Sequence, residues 1–99
     1  MTDSPFAITP TDLGFAVTGE IDAYTAPAIA AAIASSSLKT IELDMSGVEF
    51  VDSSGLRVVI EAHQQLLDNG GSLTLVRPSP VVQRLFDISG VHEYLNISG

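Results

Sequence analysis

Ninety-nine residues, 45 % of them hydrophobic, with a mean hydropathy of +0.34, are enough for one folded domain (1–99) and argue against disorder. Twelve acidic against four basic residues leave a formal charge of −8, which excludes a phosphate-gripping footprint for nucleic acid and disfavours an anionic membrane surface. Without cysteine there is no disulfide framework or thiolate chemistry, and no apolar run approaches the roughly 18–20 residues that span a bilayer.

The opening Met1-Thr2-Asp3-Ser4-Pro5-Phe6 has neither the basic nor the long apolar stretch of a signal peptide, so a cytoplasmic location is expected. Phe6-Ala7-Ile8 and Phe15–Gly19 are predicted as hairpin strands around a turn at Pro10–Gly14. Thr25 is placed to cap an alanine-rich helix over 26–35, with Pro27 in its first turn and Ala26, Ile29, Ala30 and Ile33 inward. After a serine loop, residues 39–45 alternate as a half-buried strand, Ser46-Gly47 turns, and Val48, Phe50 and Val51 return the chain to the core.

Asp52-Ser53-Ser54-Gly55 then precedes an amphipathic helix with Leu56, Val59, Ile60, His63, Leu66 and Leu67 on its stripe, ended at Asn69-Gly70-Gly71. Residues 72–76 alternate as a strand. Ser79-Pro80 starts a third helix that buries Val82, Leu85 and Phe86 and stops at Ser89-Gly90. Val91, Tyr94, Leu95 and Ile97 form a short closing element. The order ββαβαβα calls for an α/β fold: a mixed sheet of four or five strands, helices mostly on one face.

The chemistry concentrates at residues 52–57. Asp and Ser are both capping residues, so Ser53 and Ser54 read either as simple caps or as hydroxyls held at a helix N-terminus, where added negative charge is tolerated. A nucleophilic serine needs a base, and His63 lies roughly 15 Å further along the same helix. G-x-S-x-G is absent, and neither His63 nor His92 has metal-ligand spacing, so an enzyme is not expected and neither a cofactor nor a metal is implied. Asp22, after a strand, is either a solvated loop carboxylate or a polar partner of the Ser53 region. Arg57 lies one turn beyond Ser53 on the outward side.

Several fragments in order carry a family likeness: G-E-I-D at 19–22, Thr25-Ala26, L-D-M-S-G-V at 43–48, F-V-D-S-S-G-L at 50–56, N-G-G at 69–71, and S-P-x-V-x-R-L-F-D-I-S-G-V at 79–91. Together they resemble the bacterial anti-sigma factor antagonists, single-domain members of the STAS family. The resemblance implies a phosphoacceptor at Ser53, flanked by Asp52 and Asp22, and a partner-binding surface that includes Ser54, Gly55, Leu56 and Arg57. It further implies an anti-sigma factor partner with serine kinase activity, a phosphatase acting on the phosphorylated form, and transcription control through a released sigma factor. Arg57 departs from the pattern, since many members carry a small residue there. With no room for a sensor domain after Ile97, the chain reads as a receiver of the signal. The alternative within the family is a structural or adaptor subunit of a signalling or lipid-transport complex, with Ser53 only a cap.

Overall fold

The computed structural model describes residues 6–98; the N-terminal residues 1–5, Gly99 and the side chain of His92 lie outside the described part. Its elements are β1 (Ala7–Thr11), β2 (Gly14–Ile21), α1 (Ala26–Ser35), β3 (Thr40–Val51), α2 (Ser53–Asp68), β4 (Ser72–Val76), α3 (Pro80–Ser89), a 3₁₀ turn at Val91–Glu93, and β5 (Asn96–Ser98). The hairpin turn is tighter than predicted, because Pro10 and Thr11 pair with Phe15 and Gly14 inside β1. The closing element resolves into the 3₁₀ turn plus a fifth strand.

The five strands lie in sequence order. β1 runs antiparallel to β2, and β2 through β5 are parallel. Right-handed crossovers that keep advancing one way across a sheet put every connecting helix on the same face. The buried residues agree. Ile29 and Ile33 of α1, Val59 and Ala62 of α2, and Val82 and Phe86 of α3 join one cluster with Ile41, Leu43, Leu73 and Leu75 of the sheet. On the other face Glu42, Asp44 and Thr74 remain half-buried, and Asp44 pairs with Arg77 at 3.0 Å.

Strand β3 departs from the sequence reading. Ser46-Gly47 is not a turn, since the strand runs unbroken for twelve residues. Against β2 it carries two extra residues: Ala16 and Thr18 pair with Asp44 and Gly47, and Gly19 and Glu20 pair with Val48 and Phe50. These are bulges, which bend a strand and reset which side chains face inward. Inward residues accordingly fall at 41, 43, 45, 48 and 51, and Phe50, read as core, is left 42 % exposed. Leu67 is likewise outside, 51 % exposed, where Ala62 takes the predicted inward role.

His63 is the one buried polar side chain among the described residues. Its Nδ1 accepts a hydrogen bond from the Leu73 N–H at 3.1 Å, tying α2 to the start of β4. An accepting Nδ1 requires neutral imidazole, and burial lowers the group from its ordinary value of 6.5. Below 6.5 the unfolded chain takes up a proton that folded His63 resists, so this contribution is complete above 6.5 and is lost as pH falls toward the lowered folded value. Urea midpoints of the wild type are expected to fall between about pH 7.5 and 5.5. The slope flattens in His63→Asn, whose amide oxygen can accept the same bond without titrating.

Candidate functional site

Parallel strands bring their C-terminal ends, and the helix starts that follow them, to one edge of the sheet. Here β2 ends at Ile21 and β3 at Val51, which pair directly, and the Asp52 N–H donates to the Ile21 carbonyl at 3.1 Å. The loop after β2 and the start of α2 are thereby fastened side by side. Gly55 brings them closer still. A Cβ at this position would stand 2.6 Å from the Ile21 carbonyl oxygen, against backbone that cannot swing away. Gly55 is buried for that reason, and its role is close approach rather than turning.

Each loop is stiffened by its own aspartate. Asp22 Oδ1 accepts from the Thr25 N–H at 3.0 Å and the Tyr24 N–H at 2.9 Å. These two bonds, Thr25 first, hold its carboxyl below the ordinary 3.8. Thr25, expected to cap α1, has helical backbone angles and no capping bond; its hydroxyl accepts from the Asp22 N–H at 2.9 Å and can donate to the Glu20 carbonyl at 2.8 Å. Asp22 is committed to its own loop and has no hydrogen bond to Ser53.

At α2 the cap is Asp52, whose Oδ1 accepts from the Gly55 N–H at 2.7 Å. Ser53 and Ser54 occupy the first two helical positions, exposed, and neither hydroxyl has a hydrogen-bond partner among the described residues. The capping bond at the start of α2 is thus made by Asp52 and by neither serine. Asp52→Ala should cost about 1 kcal/mol of stability, which for a domain of this size lowers Tm by about 4–8 °C; a thermal melt beside Ser53→Ala, which should barely shift, separates the two roles.

Ser53, Ser54 and Arg57 line a hollow of ≈ 340 Å³ together with Ala23 and Val58. Leu56, half-buried, packs against the core beneath it. The predicted residues 52–57 are thus brought together, with Asp22 on the facing loop. Sequence reasoning missed Ala23, Val58 and above all Tyr24, which is 93 % exposed beside the site. A large aromatic in a loop pinned by Asp22 was the available signal. His63 serves as a structural acceptor, so it is not available as a base for Ser53.

The sequence profile of the STAS domain matches residues 5–99. The chain belongs to the STAS domain family. An anti-sigma-B factor antagonist of Listeria monocytogenes is 36 % identical over 84 residues, covering 82 % of this chain and 74 % of its own. That of Bacillus subtilis is 33 % identical over 89 residues, covering 88 % and 82 %. Among solved structures, the anti-sigma factor antagonist SpoIIAA in its unphosphorylated form superposes with a TM-score of 0.70 at 25 % identity, covering 96 % of this chain and 89 % of that one. An anti-sigma factor antagonist from Mycobacterium paratuberculosis gives 0.74 at 26 % identity, covering 96 % and 85 %. This STAS domain therefore resembles regulators of other proteins, and its five-stranded mixed sheet with three helices is the fold that they share. Among its described residues no helix is long and apolar enough to cross a membrane.

Proposed function

We propose that this protein is an anti-sigma factor antagonist worked by partner switching. With Ser53 unmodified, the surface made by the β2–α1 loop and the first turns of α2 binds an anti-sigma factor, and a sigma factor is freed. That anti-sigma factor is also an ATP-dependent serine kinase; phosphorylation of Ser53 breaks the complex, and a separate phosphatase restores it. Asp22, Asp52, Ser54, Leu56 and Arg57 belong to the contact surface; Gly55, expected there too, is buried against Ile21 and instead holds the two loops side by side. The names of the relatives supply the class of partner.

The observation that carries the switch is the division of labour at the start of α2. Asp52 holds the helix cap, and Ser53 stands exposed with its hydroxyl unspent. Modifying Ser53 therefore leaves the cap in place while adding roughly −1.5 to −2 charge to the surface. Asp52 immediately precedes Ser53, and Asp22 immediately precedes Ala23, which lines the same hollow, so the new charge meets like charge wherever a partner excludes water.

Pull-down from a lysate of the source organism, with wild type, Ser53→Ala and Ser53→Asp as baits, tests the proposal. Wild type and Ser53→Ala are expected to recover an ATP-binding anti-sigma factor that Ser53→Asp loses. Equal recovery of one partner by all three would make the protein a constitutive adaptor subunit and end the switch reading.

A further inference from the structure

Arg57 is a cation with no assigned partner in a chain that has only four Lys and Arg. Arg77 has Asp44 at 3.0 Å, whereas Arg57 makes no ion pair or hydrogen bond among the described residues. It is exposed, four positions after Ser53 on the same helix, and both line the one hollow with Ala23 and Val58. Residues i and i+4 sit one above the other on a helix surface, with Cβ atoms about 5–6 Å apart. Helical side chains lean toward the N-terminus, a direction in which a long side chain at 57 reaches over position 53. A cation this close to a helix start is also poorly served by the helix dipole, and an anion there would relieve it.

The surrounding carboxylates do not fill that role. Asp52 accepts from Gly55, and Asp22 accepts from Thr25 and Tyr24. Glu61 is the next acidic residue along the helix face, but an arginine preceding its acid by four positions is the weaker orientation of such a pair.

We infer that Arg57 is a built-in clamp for the phosphorylated state, its guanidinium closing on the Ser53 phosphate to hold it against α2. The inference rests on Ser53 being a phosphoacceptor and adds how the modified state is kept. The guanidinium fork matches phosphate oxygens in a way that a small residue at this position could not. The phosphate so held is fixed in place over the hollow instead of ranging through solvent, and part of its charge is answered from within the chain.

The test uses the full chain with phosphoserine installed at position 53 by genetic-code expansion, so that no kinase is needed. Phosphorus NMR then follows the second ionisation of the phosphate, ordinarily near pH 6 for phosphoserine. In the wild-type background it is expected to titrate lower than in Arg57→Ala by about half a unit, the scale of a surface ion pair. The phosphorylated wild type should also melt about 2–4 °C above phosphorylated Arg57→Ala, while the two unmodified proteins melt together. Equal titration in both backgrounds overturns the clamp. So does an equal loss of melting temperature in the unmodified pair, which would show Arg57 already engaged, with Glu61 for example. A normal clamp signature with anti-sigma factor binding indifferent to the phosphate would leave the clamp standing and bring down the switch instead.

Discussion

Stoichiometric phosphorylation of Ser53 is expected to weaken binding of the anti-sigma factor by about a hundredfold or more, equivalent to about 3 kcal/mol. The magnitude follows from placing a doubly charged group on a surface already bearing Asp22 and Asp52, where docking removes the water that screens them. The fold itself should hardly respond. An anion at the first position of α2 is favourable by about 0.3–1 kcal/mol through the helix dipole, and Asp52 keeps its bond to Gly55 either way. Titration calorimetry with the purified anti-sigma factor, beside thermal melts of the same two preparations, reads both quantities. Lost binding with an unchanged or slightly raised Tm is the signature of a surface switch. A large fall in Tm would mean instead that the modification damages the helix start, and the two-function view of Asp52 and Ser53 would fail.

Gly55→Val is the second large effect, and it acts through the fold. A Cβ at Gly55 would lie 2.6 Å from the Ile21 carbonyl oxygen and 2.8 Å from its carbon, so even Gly55→Ala must push α2 off the end of β2. Overpacking of this kind costs about 1–3 kcal/mol, offset for alanine by about 1 kcal/mol of helix propensity. Valine adds bulk without that compensation. Its Tm is expected to drop by about 10 °C or more. Binding of the anti-sigma factor should weaken as well, because the two loops would no longer stand side by side. Gly70 is the useful contrast. Its φ of +83° ends α2 with nothing within 4 Å of an added Cβ, so Gly70→Ala should cost stability through backbone strain alone and leave binding intact. If Gly55→Val melted like the wild type, the close packing of α2 on Ile21 would not be what holds the site together.

The cluster at 52–57 was legible because chemistry and punctuation coincide there. An acidic cap, two hydroxyls and a glycine stand between a strand and an amphipathic helix, and such residues have little reason to sit together otherwise. Which of them caps was not legible. Asp and Ser accept from the same N–H groups, and only the observed bond from Gly55 to Asp52 assigns the cap and leaves Ser53 spare. Thr25 shows the same limit from the other side. It has the right residue type for a cap, yet its hydroxyl is taken up by the Asp22 N–H and the Glu20 carbonyl, Pro27 offers no N–H, and the Ala28 N–H bonds to the Thr25 carbonyl instead.

What the sequence determined by itself is the family and most of the elements, short of the unbroken β3 and the closing strand β5. Alternation in β3 and β4, the helical stripe of α2 and the Ser79-Pro80 and Gly90 ends of α3 are local signals, because backbone geometry within a few residues enforces them. Tertiary structure decided the rest. The bulges in β3 exist only relative to β2, so no local pattern could show that Ser46-Gly47 continues a strand or that Phe50 faces out. Ile21 and Gly55 are 34 positions apart, and their contact is made by strand pairing that closes the chain on itself. The residues of the site are written in the sequence; their adjacency is a property of the sheet.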